Sequence, residues 1–201
     1  MFRLGVLVSG GGTNLQAIIN AIEIGKLPDV EIAVVISSNS KAYAIERAKK
    51  HNIPFEVVSK KECNSQLDFE NKIIKILTEK KVDIVILAGF MAILSENFVS
   101  HFPNRILNIH PSLLPKFGGK GYYGIKVHEK VLEAKETQTG ATVHFVTSDV
   151  DAGPIILQKS IDVLPNDTPE SLQRRVMENC EWIIYPEAIR IVCEKIRDNE
   201  I

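Results

Sequence analysis

Along this chain, short apolar runs rich in β-branched residues alternate with segments whose apolar positions recur at helical spacing. Leu4–Val8, Glu31–Ile36, Phe55–Val58, Val82–Leu87 and Ile106–Ile109 read as strands. Between the first two, Leu15, Ile18, Ile19 and Ile22 fall at i, i+3, i+4 and i+7, the apolar stripe of a helix for which Asn14 is the expected N-cap. Ala42–His51 and Gln66–Lys80 supply two more helices, the latter with Phe69, Ile73, Ile74 and Leu77 on one face. Strands as continuously apolar as Ile84-Val85-Ile86-Leu87 are buried on both faces, as parallel strands covered by crossover helices are. The pattern predicts an α/β fold: a single Rossmann-like, doubly wound, mostly parallel sheet with helices on both faces.

Beyond Pro115 the texture changes. Four glycines among residues 118–124 make that stretch a loop. Val127–Ala134 reads as a helix and Thr142–Val146 and Ile155–Val163 as strands. A C-terminal helix starts at Pro169, with Asp167 or Thr168 as its cap, and Pro186 is expected to break or kink it. No repeat, low-complexity tract or linker marks a boundary, so residues 1–201 are expected to form one domain.

Composition narrows the function classes. The 201 residues carry 24 Lys and Arg against 25 Asp and Glu, a net charge of −1, with 45% hydrophobic and 24% charged residues, the balance of a globular chain with a core. Without a basic excess, no nucleic-acid partner is expected. No apolar stretch approaches the roughly 20 residues of a membrane-spanning helix, and Leu4–Val8 is too short for a signal segment, so no membrane association is expected. Cys63, Cys180 and Cys193 are odd in number, far apart and never arranged as CxxC. Neither a disulfide framework nor a zinc site is expected, and a reducing cytoplasm suits the chain.

Three constellations carry chemistry. Ser9-Gly10-Gly11-Gly12-Thr13-Asn14 closes the first strand and runs into a helix, so backbone N–H groups and the helix dipole favour an anion such as phosphate over a bare turn. A dinucleotide fingerprint would need glycine where Leu15 stands, and no Gly-Lys-Ser/Thr follows, so neither NAD nor ATP is expected. Asn108 and His110 stand two apart at a strand end just before Pro111, so both project from one face. An amide donor beside a titratable imidazole suits stabilisation of a developing oxyanion with proton transfer. Finally, the strand through Gly140–Val146 leads into a turn with Asp149 and Asp151 before Gly153-Pro154; alone, these aspartates read as turn formers. His51, His101 and His128 show no metal spacing, and His144 alternates with apolar neighbours, which favours solvated or core roles.

Ser9–Ile18, Leu87–Met91, Leu107–Pro115 and Gly140–Val146 through Asp151–Pro154 resemble, in order and across the whole chain, the phosphoribosylglycinamide formyltransferases, a folate-dependent formyltransferase family. The resemblance implies a formyltransferase-type Rossmann-like fold, with residues 1–105 as a phosphate-binding half and 106–201 as a catalytic and folate-cleft half. It implies transfer of the formyl group of 10-formyltetrahydrofolate, a co-substrate, to the amine of glycinamide ribonucleotide in purine biosynthesis. Substrates would be small molecules, no metal would take part, and the enzyme would be a cytoplasmic monomer or homodimer. Carried over motif by motif, Asn108, His110 and Asp151 would be catalytic and Gly12, Thr13 and Asn14 would hold the 5′-phosphate. Met91, Ala92, Ile93 and Leu94, with Asn108, Thr147, Asp149 and Asp151, would bind folate. Asn108 and a protonated His110 would meet the oxyanion, with Asp151 raising the imidazole pKa.

Ala92 and Gln66 stand where family members commonly carry Arg. A family glutamate at the glycinamide or ribose end maps to Glu181 counting back from Tyr185-Pro186, and to Cys180 counting forward from Arg175-Val176, one residue being inserted. His128 is expected to approach the site. Related activities differ in their extra parts. Methionyl-tRNA formyltransferase carries a C-terminal tRNA-binding domain, which this chain is expected to lack. Formyltetrahydrofolate deformylase, which passes the formyl group to water, usually bears an N-terminal regulatory domain, and a first strand at residue 4 is expected to exclude one. A non-catalytic phosphosugar-binding module would keep the glycine loop but have no reason to gather Asn108, His110 and Asp151 around one cleft.

Overall fold

The structure, a computed structural model, describes residues 1–201. They cluster into two compact units, Met1–Leu107 with Ile201, and Asn108–Glu200. The first unit contains β1 (Phe2–Val8), α1 (Thr13–Glu23), β2 (Val30–Ser37), α2 (Tyr43–Lys50), β3 (Phe55–Val57), α3 (Gln66–Glu79), β4 (Ile84–Leu87), α4 (Glu96–His101) and the start of β5 (Ile106–His110). β1 pairs in parallel with β2 on one side and β4 on the other. Hence Leu4, Val6, Leu7 and Val8 have no exposed surface, and the same strands lack polar alternation. β3 pairs in parallel with β2 and is only three residues long, a short edge that offers little to a foreign strand. α4 is an addition to the predicted elements: its six residues bury only Phe98, too few positions to show a period.

The second unit continues from the end of β5 through α5 (Ile125–Glu133), β6 (Gln138–Phe145), β7 (Ile155–Asp162), α6 (Pro169–Val176), a π turn (Met177–Glu181) and α7 (Trp182–Arg197). β6 and β7 are antiparallel, from Gln138 opposite Asp162 to His144 opposite Ile155, with a register shift between Val143 and His144. The seven strands are ordered β3-β2-β1-β4-β5-β6-β7 in one mostly parallel sheet, the doubly wound α/β class. α6 and α7 pack on β6 and β7. Thr168 caps α6 through a reciprocal box with Ser171, and Pro169 occupies the first turn. Of the expected break or kink at Pro186, the break does not occur: the residue lies inside α7. In an ideal helix its ring would press on the carbonyl of Trp182, and the departure from α geometry falls at Met177–Glu181, just before that residue.

Candidate active site

β5 delivers Asn108 and His110 two residues apart, and a buried threonine of β6 with a glutamine of β7 ties down the loop that follows. Thr142, with no exposed surface, donates through Oγ1 to the Ser112 carbonyl at 2.7 Å. The same oxygen accepts from Leu114 N–H at 3.1 Å and Gln158 Nε2 at 2.8 Å, and Gln158 also donates to the Leu114 carbonyl at 3.0 Å. A fully used buried hydroxyl holds a loop firmly because any slippage leaves a polar atom unpaired in an apolar surround.

Asp151 approaches this strand end from the turn after β6. Its Oδ2 lies 3.4 Å from His110 Nδ1 and its Oδ1 3.5 Å from Asn108 Nδ2, so the three residues come together. His144 joins them. Its Nδ1–H donates to the Phe145 carbonyl at 2.9 Å, which leaves Nε2 to accept from Asn108 Nδ2 at 3.2 Å, 3.6 Å from Asp151 Oδ1. The apolar alternation around His144 does report burial, but the core role it suggested is corrected: β6 neighbours β5 in the sheet, which sets position 144 beside Asn108. Strand adjacency, the signal for His144, is not carried by the periodicity of one strand.

His110 is buried, and its Nε2–H donates to the Phe117 carbonyl at 2.7 Å. Burial pushes the imidazole below its ordinary value of 6.5; Asp151 and the Phe117 carbonyl pull upward, and His144 pushes down. The expected rise from Asp151 is therefore present but outweighed by burial, which favours the neutral ring. Burial would raise the Asp151 carboxyl, yet the contact with His144, the charge of His110 and the Gly119 N–H, 2.9 Å from Oδ2, hold it below its ordinary value. The turn that carries Asp151 ends where Gly153 lets the chain run against β6: a Cβ there would fall 1.8 Å from the Phe145 carbonyl oxygen. Thr147 Oγ1 donates to the Asp149 carbonyl at 3.2 Å within this turn, and Asp149 is exposed.

In the first unit, α1 begins at Thr13 with Gly12 as its cap and no side-chain capping bond. Asn14 is thus corrected from N-cap to second helical residue. Gly12 sits at φ 70°, and a Cβ there would lie 2.6 Å from Ala44 Cβ, so glycine alone allows the chain to enter the helix here. No acidic residue occupies the first turn, so no carboxylate there offsets the positive end of the helix dipole.

Met91–Leu94 is pinned by its backbone. Met91 N–H donates to Ser9 Oγ at 3.0 Å, and Gln66 Nε2 to the Ile93 carbonyl at 3.1 Å. Glu70, with no exposed surface, accepts from Gln66 Nε2 at 2.6 Å, Ser95 N–H at 2.7 Å and Ser95 Oγ. Met91 and Ile93 are each 57% exposed, Ala92 is half-buried and Leu94 points into the core. Two exposed apolar side chains on a fixed backbone suit a flat heteroaromatic ring.

Glu181 and Cys180 are both buried in the π turn, and burial pushes the thiol up to about 11, which keeps Cys180 uncharged at neutral pH. A π turn holds one residue more than the α-helical turn it replaces, and Met177–Glu181 takes that form. His128 on α5 has no exposed surface and no partner for either ring nitrogen. Burial, with the charge of His110, pushes it down to about 4.

Residues 2–189 match the formyl transferase family. The chain belongs to that family. Among formyl transferases it is similar to the phosphoribosylglycinamide formyltransferase of Haemophilus influenzae, 41% identical over 202 residues that cover 99% of this chain and 92% of that protein. It is similar in structure to glycinamide ribonucleotide transformylase 1 from Symbiobacterium toebii, with a TM-score of 0.90, 44% identity and coverage of 96% of this chain and 88% of that one. Phosphoribosylglycinamide formyltransferase from Coxiella burnetii matches with a TM-score of 0.87, 46% identity and coverage of 94% and 85%.

Proposed function

We propose that this formyl transferase passes the formyl group of 10-formyltetrahydrofolate to the amine of N1-(5-phosphoribosyl)glycinamide, a step of de novo purine biosynthesis. The meeting of amide, imidazole and carboxylate, with Asp151 no more than 3.5 Å from both Asn108 and His110, carries the reading. Similarity over nearly the full chain to enzymes named for this reaction supports the choice of substrates.

The neutral amine attacks the formyl carbon and the carbonyl pair moves onto oxygen. Asn108 Nδ2 and His110 Nε2–H are the donors for that oxygen, which takes the acceptor place the Phe117 carbonyl holds. Neutral His110 moves the proton. Uptake at Nδ1 gives an imidazolium stabilised by Asp151, release from Nε2 protonates the departing folate nitrogen as its bond to the formyl carbon breaks, and proton exchange with solvent returns the ring to its Nε2–H tautomer. Gly12, Thr13 and Asn14 receive the 5′-phosphate at the uncapped start of α1. Met91–Leu94 takes the pterin, Thr147, Asp149 and Asp151 also bind folate, and Glu181 serves the glycinamide or ribose end. Three free thiols support a reducing, cytoplasmic setting, and no helix is long and apolar enough to cross a membrane.

Incubation with 10-formyltetrahydrofolate, with and without the amine substrate, tests the reading. Formyl loss only when the amine is present is the expected result. Loss without it would make the protein a deformylase, and no loss in either case a binding module.

A further inference from the structure

We infer that Arg47, on α2, is a positioning residue for the anion site of the glycine loop, and so for the phosphate end of the ribonucleotide; the inference rests on the phosphate reading of that loop. In a planar trans peptide the C=O and the next N–H point in opposite directions, so whatever binds one aims the other. The Gly10 carbonyl accepts from Ala44 N–H at 3.1 Å, which turns Gly11 N–H away from α2. The Gly11 carbonyl accepts from Arg47 Nε at 2.8 Å, which turns Gly12 N–H the same way. The Gly12 carbonyl accepts from Gln16 N–H at 2.9 Å, inside α1, and aims Thr13 N–H out of the helix start. Of these three holds, two are backbone to backbone and one is a side chain. Arg47 is therefore the hold that a substitution can remove.

The guanidinium is itself locked. Nη1 donates to Gln16 Oε1 at 3.0 Å, and the Gln16 amide nitrogen donates to Asn20 Oδ1 at 2.9 Å and to His51 Nε2 at 3.2 Å. His51 Nδ1–H in turn donates to Glu23 at 2.7 Å, and the guanidinium lies 5.1 Å from the Tyr43 ring centroid. A lysine ammonium cannot bridge Gly11 and Gln16 in this way, whereas the planar fork does so with its charge held beside the loop. Gly10 and Gly11 add an independent sign. Neither has a left-handed φ, and a Cβ on either would meet nothing within 4 Å, so the fold does not demand glycine there and open space lies over the loop.

The test compares Arg47→Gln, Arg47→Lys and wild type on phosphoribosylglycinamide and on its dephosphorylated riboside, with inorganic phosphate as a competing inhibitor. Arg47→Gln should raise KM for the phosphorylated substrate about 10- to 100-fold, the range of one charge-assisted hydrogen bond. The kcat, the KM for 10-formyltetrahydrofolate and kcat/KM for the riboside should stay near wild type, phosphate should inhibit more weakly, and Arg47→Lys should recover part of the loss. An equal fall on both substrates, or unchanged preference for the phosphorylated one, would overturn the assignment. Should wild type itself ignore inorganic phosphate and use riboside and ribotide alike, the phosphate reading of the loop fails instead.

Discussion

Asp151 and Phe117 both adopt left-handed backbone (φ 55° each), a conformation that costs a non-glycine residue on the order of 1 kcal/mol. Both present a group to His110: the carboxylate to Nδ1 and a carbonyl to Nε2. His110→Ala or Asp151→Asn should lower kcat by about 10²- to 10⁴-fold, the range of general acid–base catalysis, with a melting temperature close to wild type. Because Asp151 pulls the His110 pKa upward, Asp151→Asn should also move the acidic limb of the residual kcat/KM profile to lower pH. An unmoved limb would remove His110 from that titration. His128 makes a prediction about stability. Its folded pKa of about 4 lies below its ordinary 6.5, so between these values the unfolded chain binds a proton that the folded one refuses. Stability should therefore fall as pH drops through that window, by about 2 kcal/mol at pH 5 from this group. His128→Leu, which also removes two unpartnered buried nitrogens, should flatten the difference between urea unfolding at pH 5 and pH 7.5.

Among the elements, the C-terminal helix depends most on a single inserted residue. Asn179 lies within the π turn and its Nδ2 donates to the Arg175 carbonyl at 2.9 Å, serving a main-chain group on the widened turn. Deleting Asn179 should restore α geometry and turn α6 by about 100° relative to α7, the angle of one helical residue. Either the apolar stripe of α6 or the buried face of α7 then leaves β6 and β7. The expected readout is a loss of several kcal/mol in urea unfolding, in the range of core disruption, where Asn179→Ala, which keeps the insertion, should cost about 1 kcal/mol or less. Equal effects of deletion and substitution would show that the insertion itself is not what seats Glu181 in its buried position.

At the scale of the whole molecule, ligands that bind only the folded chain add to its stability. Phosphoribosylglycinamide at 100 times its Kd should add about 2.7 kcal/mol, read as a melting shift of roughly 5–11 °C for a chain of this size. Arg47→Gln should need a higher concentration for the same shift. The parallel strands and their helices were legible in the sequence, since Leu4–Val8 and Ile84–Leu87 are buried on both faces and Leu15, Ile18 and Ile19 on one. So was the pairing of Asn108 with His110, because two residues on one strand end share a face whatever surrounds them. Such features depend on covalent spacing and local period, which a chain carries with it. Packing alone decided that Asp151, 43 residues from Asn108, would meet it, that His144 would join from the neighbouring strand, and that Arg47 would hold Gly11 across 36 residues. It decided also that burial would outweigh Asp151 in setting the proton on His110. Through-space contact and desolvation are properties of groups brought together from distant positions, and no window of sequence contains both partners.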